Sequence, residues 1–511
     1  MAGLPAWARD IGAFQAVLGT RGPVTPGADW ILWSARRSIT MNVRKGQTTM
    51  LNPTRRLTRR SVLKTAGAAT AATTLGMPGV IPSTALAVPG RAGANERIAI
   101  GHIGMGGRAI GLYRELRPLR DKGLAQSVAI CDVDDKRLER GSKEVGPRAD
   151  VYRDYRYLLA RKDIDAVVIG TPDHWHAVQF VHAAECGKHI YCEKPACCTI
   201  EEGKAMVAAA RKAKIASQIG SQGRSQPEAY LMHRFLANGV IGRVEWVECF
   251  HYPSPEDRSQ TPDTSPPPEL DWDLWLGPLR WRPFNPKYLP GTFRWLLESG
   301  GGQIRDRGAH VMSCAMYWLG ADGTGPVTIE ATGTAPTMGL WDSAVLMQVT
   351  YTFKNPDWKM TWTQMPMAEV TKRFPAEERT KQELQQPGIT KISRPGYGAV
   401  YHGTQGTCMH WGGDGGTWAE RKVRNWVPPP GAKEVYKSPG HLEDWFEGIR
   451  TGKKCVMDVE WGVGVANLCI LGNLAFMLGR PLRWDQQKME IVGDDQARRL
   501  MARPQRHPYH L

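Results

Sequence analysis

The stretch from Arg97 to about Leu119 limits the possible folds more than any other. RIAIGHI, an apolar strand, runs directly into Gly104-Met105-Gly106-Gly107-Arg108-Ala109 and then into a run with helical character. Strand, G-x-G-x-x-A turn and helix in that order form the opening unit of a dinucleotide-binding sheet. Gly104 permits the tight turn, Gly106 lets backbone approach a pyrophosphate, and Ala109 lets helix and strand pack closely. Amides at the helix start, from Met105 to Arg108, then face the phosphate charge.

The alternation continues. A second strand, residues 127–131, ends at Asp132, 28 residues beyond Gly104. An acid there accepts both ribose hydroxyls and repels a 2′-phosphate, which favours NAD, while Arg137 nearby leaves NADP open. DAVVIG at 165–170 is a strand followed by Thr171-Pro172-Asp173-His174-Trp175-His176 and an amphipathic helix to Cys186. KHIYC ends in Glu193, Lys194 and Pro195; a helix to about Lys212, a strand at 215–219 and the polar run Gly220-Ser221-Gln222 follow. Such spacing specifies an α/β fold with a doubly wound parallel sheet of the Rossmann kind. Gly104, Thr171, Lys194 and Gln222 each follow a strand, so they line the sheet edge where ligands sit. Thr171, Pro172, His176, Glu193, Lys194 and Gln222 thus join the 104–108 turn and Asp132 as candidate cofactor-binding residues.

No further Gly-rich turn occurs after Gly239. GRVEWVECFHY at 242–252 alternates as a long strand, and strand-like runs recur at 328–332, 344–353 and 359–364. Residues 253–268 and 367–397, rich in Pro, Gly and charge, are expected loops, and helical segments near 441–450 and 463–478 are expected to buttress the cofactor half. The layout is a leader over 1–95, a dinucleotide-binding domain over 96–225, an α+β domain over 226–485 and a tail over 486–511. Trp272, Trp275, Trp281, Phe284, Phe293 and Trp295 form an aromatic cluster, mostly a packing feature. Asp306 and His310 lie four apart, so one helix would carry both on one face. A carboxylate beside an imidazole fixes its tautomer and stabilises the protonated ring, as a general base in alcohol oxidation requires.

Charge and cysteine usage narrow the partners. Of the formal +16, residues 1–87 carry +9, from 11 Lys/Arg against 2 Asp/Glu, and the remainder is interspersed. No basic stripe with interleaved aromatics appears, which argues against a nucleic-acid partner. Cys192, Cys197 and Cys198 lack the second ligand pair of a zinc site, so no metal is expected. No long apolar run is apparent. Thr58-Arg59-Arg60-Ser61-Val62-Leu63-Lys64, a weakly apolar Ala/Thr/Gly stretch and Ala85-Leu86-Ala87 read as a twin-arginine export signal with an A-x-A cleavage site. Gly and Pro at 76–79 argue against a stable membrane span, and Met41 and Met50 offer alternative starts. The twin-arginine machinery is then a partner, the location periplasmic or otherwise exported, and a cofactor inserted before export is the usual reason to fold first.

The motifs GHIGMGGR, AICDVD, TPDHWH, CEKP and IGSQGRS, in this order and spacing, resemble those of the Gfo/Idh/MocA oxidoreductase family, and of its secreted branch in particular. The resemblance runs from about Arg97 to the C-terminus. It implies a second domain with a largely antiparallel open-faced sheet on which substrate and often a second subunit pack, hence a homo-oligomer. It also implies oxidation of a sugar or cyclitol hydroxyl: Lys194 hydrogen-bonds the hydroxyl and steadies the developing alkoxide, His310 takes the proton, and Asp306 orients His310. Many relatives carry an acid three residues after the His; here Ser313 stands there, which puts substrate orientation in question. Because free nicotinamide is scarce outside the cytoplasm, the cofactor is expected to stay bound through a closed cycle. The alternatives are a redox-neutral, NAD-dependent glycoside-cleaving enzyme, whose exported examples tend to lack the lysine of E-K-P, and a catalytically idle sugar-binding protein.

Overall fold

Two sheets divide the chain between them in the computed structural model, which describes residues 96–375, 377, 396–413 and 416–511. The twin-arginine segment and most of 376–395 lie outside the described residues. The first sheet contains β1 (Ile98–Ile103), β2 (Ala125–Cys131), β3 (Asp150–Tyr152), β4 (Ala166–Ile169), β5 (His189–Glu193) and β6 (Ser217–Gly220). Their order is β3-β2-β1-β4-β5-β6 and every pairing is parallel. All four residues of β4, AVVI, are buried, as expected where helices cover both faces. The strand order reverses between β1 and β4, so the loops after these two strands flank the switch-point crevice.

The second sheet contains β7 (Val244–His251), β8 (Thr328–Thr334), β9 (Leu346–Phe353), β10 (Trp358–Gln364), β11 (Tyr397–Gly403), β12 (Gly406–Gly413), β13 (Gly416–Ala419), β14 (Leu482–Asp485) and β15 (Glu490–Ile491). The order is β13-β12-β11-β7-β10-β9-β8-β14-β15, antiparallel apart from β7 beside β10. In β9, Met347, Val349, Tyr351 and Phe353 are buried while Gln348 is exposed, the period of a sheet with one covered face.

Helices returning from the chain's end join the halves. In the His441–Thr451 helix, Leu442, Trp445 and Phe446 enter a core with Ile98, Ile100, Leu112 and Tyr191. The Val459–Leu478 helix, 20 residues long, corrects the expectation of no long apolar run: an 18-residue window of it has a mean hydropathy of 1.7, enough to cross a membrane by length and composition. Its apolar surface is instead buried in the protein, with Val463 against Gly203 and Asn473 donating to the Gly301 carbonyl at 2.9 Å. The 367–397 loop is also corrected, because Met367–Arg373 is helical and its Val370, with Phe374, packs on Phe250 and Trp411.

Candidate functional site

The crevice begins at Gly104, whose φ of +87° suits glycine and where a Cβ would sit 2.9 Å from the Gly170 carbonyl oxygen. A Cβ on Gly170 would in turn lie 2.9 Å from that of Ala109, so the loops after β1 and β4 touch through small residues. The Gly107–Glu115 helix starts at Gly106 with no side chain capping it, which leaves its first amides available to an anion. Asp132 accepts from the Met105 amide at 2.7 Å and the Asp134 amide at 3.1 Å. Burial outweighs these bonds and raises its carboxyl above the ordinary value. Gly104, Gly106, Asp132, Arg137, Thr171 and Pro172 line a cavity of about 300 Å³. The Met105 side chain is buried against Gly141, and a Cβ on Gly107 would meet nothing within 4 Å. These features fit a dinucleotide: a bare helix start, a close-approach glycine and an acid at the end of β2.

A polar brace lies across the ends of β5 and β6. Glu193 Oε1 accepts from Arg108 Nε at 2.7 Å and Gln222 Nε2 at 2.9 Å, and Gln222 also reaches the Tyr191 hydroxyl at 2.7 Å. A Cβ on Gly220 would lie 2.7 Å from the Glu193 carboxyl, so the brace requires glycine there. His176 spans the Pro195 carbonyl at 2.8 Å and the Thr171 carbonyl at 3.0 Å, linking the cavity's Thr171 to the turn that carries Lys194. Arg108, His176, Glu193 and Gln222 thus bond to protein groups beside the cavity, while Gly104, Gly106, Asp132, Thr171 and Pro172 line it.

Lys194 meets Asp306 from the other half of the chain. Its Nζ donates to Asp306 Oδ1 at 2.6 Å and to the Asp306 carbonyl at 2.8 Å. Arg294 at 3.2 Å and Arg307 at 3.4 Å complete a cationic surround. Burial alone would raise the Asp306 carboxyl, but Lys194, Arg294 and Arg307 hold it well below the carboxylate range.

Asp306 and His310 fall on successive helices, Gly302–Asp306 and Gly308–Trp318, joined at Arg307 in right-handed helical conformation, and among the described residues no hydrogen bond joins the two side chains, although the Asp306 charge acts on the imidazole. Three cations draw the carboxylate away from an imidazole kept neutral. Burial first, then the Lys194 and Arg307 charges, push His310 well below its usual value, against a smaller opposing pull from Asp306.

Sequence reasoning missed Gly220, Arg294 and Arg224. Arg224, within the I-G-S-Q-G-R-S motif, is buried; its Nε donates to Ser313 Oγ at 2.8 Å, and its Nη1 and Nη2 to Asp322 at 2.6 and 2.7 Å. Ser313 itself is fully buried, so it serves this contact rather than the crevice. The aromatic cluster is mostly packing: Trp272, Trp275, Phe284 and Phe293 share a core, whereas Trp281 is exposed. Among the described residues no three His, Cys, Asp or Glu side chains gather as a metal site.

A parallel sheet ordered 3-2-1-4-5-6 with a glycine cradle, joined to a mixed nine-stranded sheet, defines a two-domain dinucleotide-binding protein. Family models place it further: residues 98–221 match the NAD-binding Rossmann fold of the Gfo/Idh/MocA oxidoreductase family, and 250–363 with 431–511 match its C-terminal alpha/beta domain. The chain belongs to that family. A levoglucosan dehydrogenase of Pseudarthrobacter phenanthrenivorans is 32% identical over 167 residues, 33% of this chain and 36% of that one. An alpha-N-acetylgalactosaminidase of Shewanella oneidensis is 37% identical over 115 residues, 21% of this chain and 24% of that one. The chain spans less than half the length of these curated relatives. The WlbA dehydrogenase of Bordetella pertussis, solved with NADH and UDP-GlcNAcA, shares the fold with a TM-score of 0.54 at 18% identity, over 76% of this chain and 99% of that one.

Proposed function

We propose that this protein is an exported oxidoreductase that oxidises a secondary hydroxyl of a sugar or cyclitol with a tightly bound nicotinamide cofactor, NAD in preference to NADP. The observation that carries the reading is the meeting of Lys194, just past the carboxyl end of β5, with Asp306 from the other half of the chain, with His310, held down by burial and the Lys194 charge, four residues on. Gly104, Gly106, Asp132 and Thr171 would hold the dinucleotide, with the amides of Met105, Gly107 and Arg108 toward its phosphates. When bound, the nicotinamide supplies the hydride acceptor. Lys194 has three N–H donors and spends two on Asp306, leaving one for the substrate hydroxyl. His310 receives the hydroxyl proton as the carbon gives up hydride and the carbonyl forms, and the Lys194 charge stabilises the alkoxide on the way. Asp306 acts as the positioning residue for Lys194. The sugar-dehydrogenase relative supports the substrate class.

The test is mass spectrometry of the purified protein for nicotinamide, then absorbance at the reduced-cofactor band across a polyol and glycoside screen. Reduction by a sugar, abolished in Lys194→Ala and His310→Ala variants that still bind NAD, is the expected result. Failure to bind added cofactor rejects the reading. A second reading, redox-neutral glycoside cleavage, draws support from the alpha-N-acetylgalactosaminidase relative and from the depressed His310, whose protonated ring readily returns its proton. Glycoside cleavage without net cofactor reduction would select it. Export rests on the Arg59-Arg60 leader and is tested by fractionating cells that express the full chain and an Arg59→Lys, Arg60→Lys form. A homo-oligomer packed on the open face of the nine-stranded sheet is the expected assembly, tested by light scattering.

A further inference from the structure

Asp306 gathers more cations than it can neutralise, and two of them share one oxygen. Lys194 Nζ donates to Asp306 Oδ1 at 2.6 Å, and Arg294 Nε donates to the same atom at 3.2 Å. Neither cation meets a second carboxylate among the described residues, so one positive charge is left over even before Arg307 is counted. The Lys194 and Asp306 side chains are largely buried, while 34% of the Arg294 side chain is exposed. Surplus charge on groups partly removed from water is costly until an anion meets it.

Arg294 also has a recognition edge to spare. A guanidinium presents two edges of paired N–H groups. Its Nε is spent on Asp306, and Nη1 and Nη2 donate to nothing among the described residues. The Nη1–Nη2 edge therefore remains, with the geometry that takes a carboxylate in two parallel bonds. The surrounding backbone holds this edge in place. A Cβ on Gly300 would lie 2.3 Å from the Arg294 Cα, so the chain folds flush against it. On either side, the Phe293 carbonyl accepts from Ser299 Oγ at 2.8 Å and the Trp295 carbonyl from the Asp342 and Ser343 amides at 3.1 and 3.0 Å. The guanidinium itself lies over the Phe293 ring, 4.8 Å from its centroid. An arginine fixed in advance loses little freedom on binding.

A second group beside this cluster also awaits a polar partner. His251, at the end of β7, is fully buried, and its Nδ1 bonds the Tyr252 carbonyl at 2.8 Å. Nδ1 therefore carries the proton and Nε2 is a lone-pair acceptor, with no partner among the described residues. Burial pushes the ring down to about 4 against the pull of the Tyr252 carbonyl, and the Arg307 and Asp306 charges also act on it. Its centroid lies 5.3 Å from that of Tyr397, over whose ring the Arg307 guanidinium sits at 5.6 Å. A buried acceptor without a donor is rare and costly; a substrate hydroxyl would satisfy it.

We propose that the substrate is a sugar acid, whose carboxylate takes the Nη1–Nη2 edge of Arg294 while the hydroxyl to be oxidised takes the remaining donor of Lys194. The inference rests on the oxidoreductase reading above and names the substrate class for that same site. Because Arg294 and Lys194 stand on one carboxylate oxygen, the two substrate groups lie on one short stretch of carbon chain, as at the acid end of an aldonic or uronic acid. A neutral sugar leaves the surplus charge unmet. Burial first, then the Lys194 and Arg307 charges, hold His310 down. A substrate carboxylate among these cations opposes that field, so the imidazole accepts the proton more readily once the acid is bound.

The experiment gives the NAD-loaded full chain a panel of aldonic and uronic acids, each paired with its neutral carboxamide, and follows binding by calorimetry and turnover by absorbance of the reduced cofactor. Acids are expected to exceed their carboxamides by about tenfold to a hundredfold in kcat/KM. In Arg294→Gln that ratio is expected to fall to about one. Arg294→Lys, which keeps the charge without the paired edge, should retain part of it and serves if Arg294→Gln fails to fold. Acids favoured no more than carboxamides in wild type, or favoured equally in the folded variant, overturn the sugar-acid inference and leave the oxidoreductase reading intact. Acid binding that depends on Arg294, without cofactor reduction, supports the carboxylate site and rejects the oxidoreductase reading. Neither binding nor reduction rejects both.

Discussion

Two ion pairs reach from the cofactor half into the rest of the chain, Lys194 with Asp306 at the end of the Gly302–Asp306 helix and Arg224 with Asp322 just beyond the Gly308–Trp318 helix, and they differ in what they leave over. Arg224 offers five N–H donors. Ser313 Oγ, Asp322 Oδ1, Asp322 Oδ2, the Ser313 carbonyl and the Val456 carbonyl accept all five. Lys194 offers three and gives Asp306 two. One cation is saturated within the protein and the other retains a donor just past the carboxyl end of β5. Saturation, rather than burial or charge, separates a residue that holds the halves together from one equipped to act on a substrate.

Removing Arg224 gives the largest expected effect. Arg224→Ala leaves Asp322 without its partner in a largely buried position, at a cost of about 3–5 kcal/mol, read as a lower denaturant midpoint. A well-folded Arg224→Ala protein with lost turnover would break the contrast by making Arg224 functional. Lys194→Ala should behave in the opposite way. Asp306 keeps Arg294 and Arg307, so stability should fall by only about 1 kcal/mol, while kcat falls by about 10²–10³-fold with NAD affinity retained. An unchanged kcat would reduce Lys194 to a second structural cation. Gly220→Ala tests the brace that supports the Lys194 turn. Its methyl would press on the Glu193 carboxyl, at a cost of about 1–3 kcal/mol in thermal unfolding, and a neutral result would show that Glu193 can move.

Why Lys194 was legible and Arg224 was not follows from the same physics. Lys194 ends a buried strand, β5, in a sheet announced by period and glycine placement, so its position at the ligand edge follows from topology alone. Arg224 sits in a short polar run, and its acceptors lie 89 to 232 positions away in sequence, a pairing that no local pattern encodes. That Asp306 would be held by Lys194, Arg294 and Arg307, with no hydrogen bond to His310, is something the four-residue spacing cannot reveal. β11, β12 and β13 were missed because Gly403, Gly406, Gly412 and Gly413 interrupt the alternation that marks a strand. The aromatic segment over 272–295 was read as packing, but its position over the cavity depends on backbone bonds to Val133 and Glu269 that carry no side-chain signature.

The contrast between a committed and an available group extends to histidine, with a smaller effect. His102, fully buried on β1 with its ring bonded to Ser127 at 2.8 Å, is pushed down to about 3, by burial first and then by the Arg120 charge. Its folded value lies below the unfolded value of about 6.5, so on acidification the unfolded chain takes up the proton first. Stability is therefore complete above that point and falls below it, by up to about 1.4 kcal/mol per pH unit for this residue. His102→Gln, which keeps a polar partner for Ser127, should flatten the fall in urea-derived stability below about pH 6.5 by that amount. Parallel wild-type and variant curves would show that His102 is protonated equally in both states. Burial also pushes His310 down, but there the Lys194 charge adds to it, so under the proposed reading His310→Gln should act mainly on turnover. A stability curve that changed as much for His310→Gln, with turnover intact, would place His310 with the structural histidines and leave Lys194 without a proton acceptor.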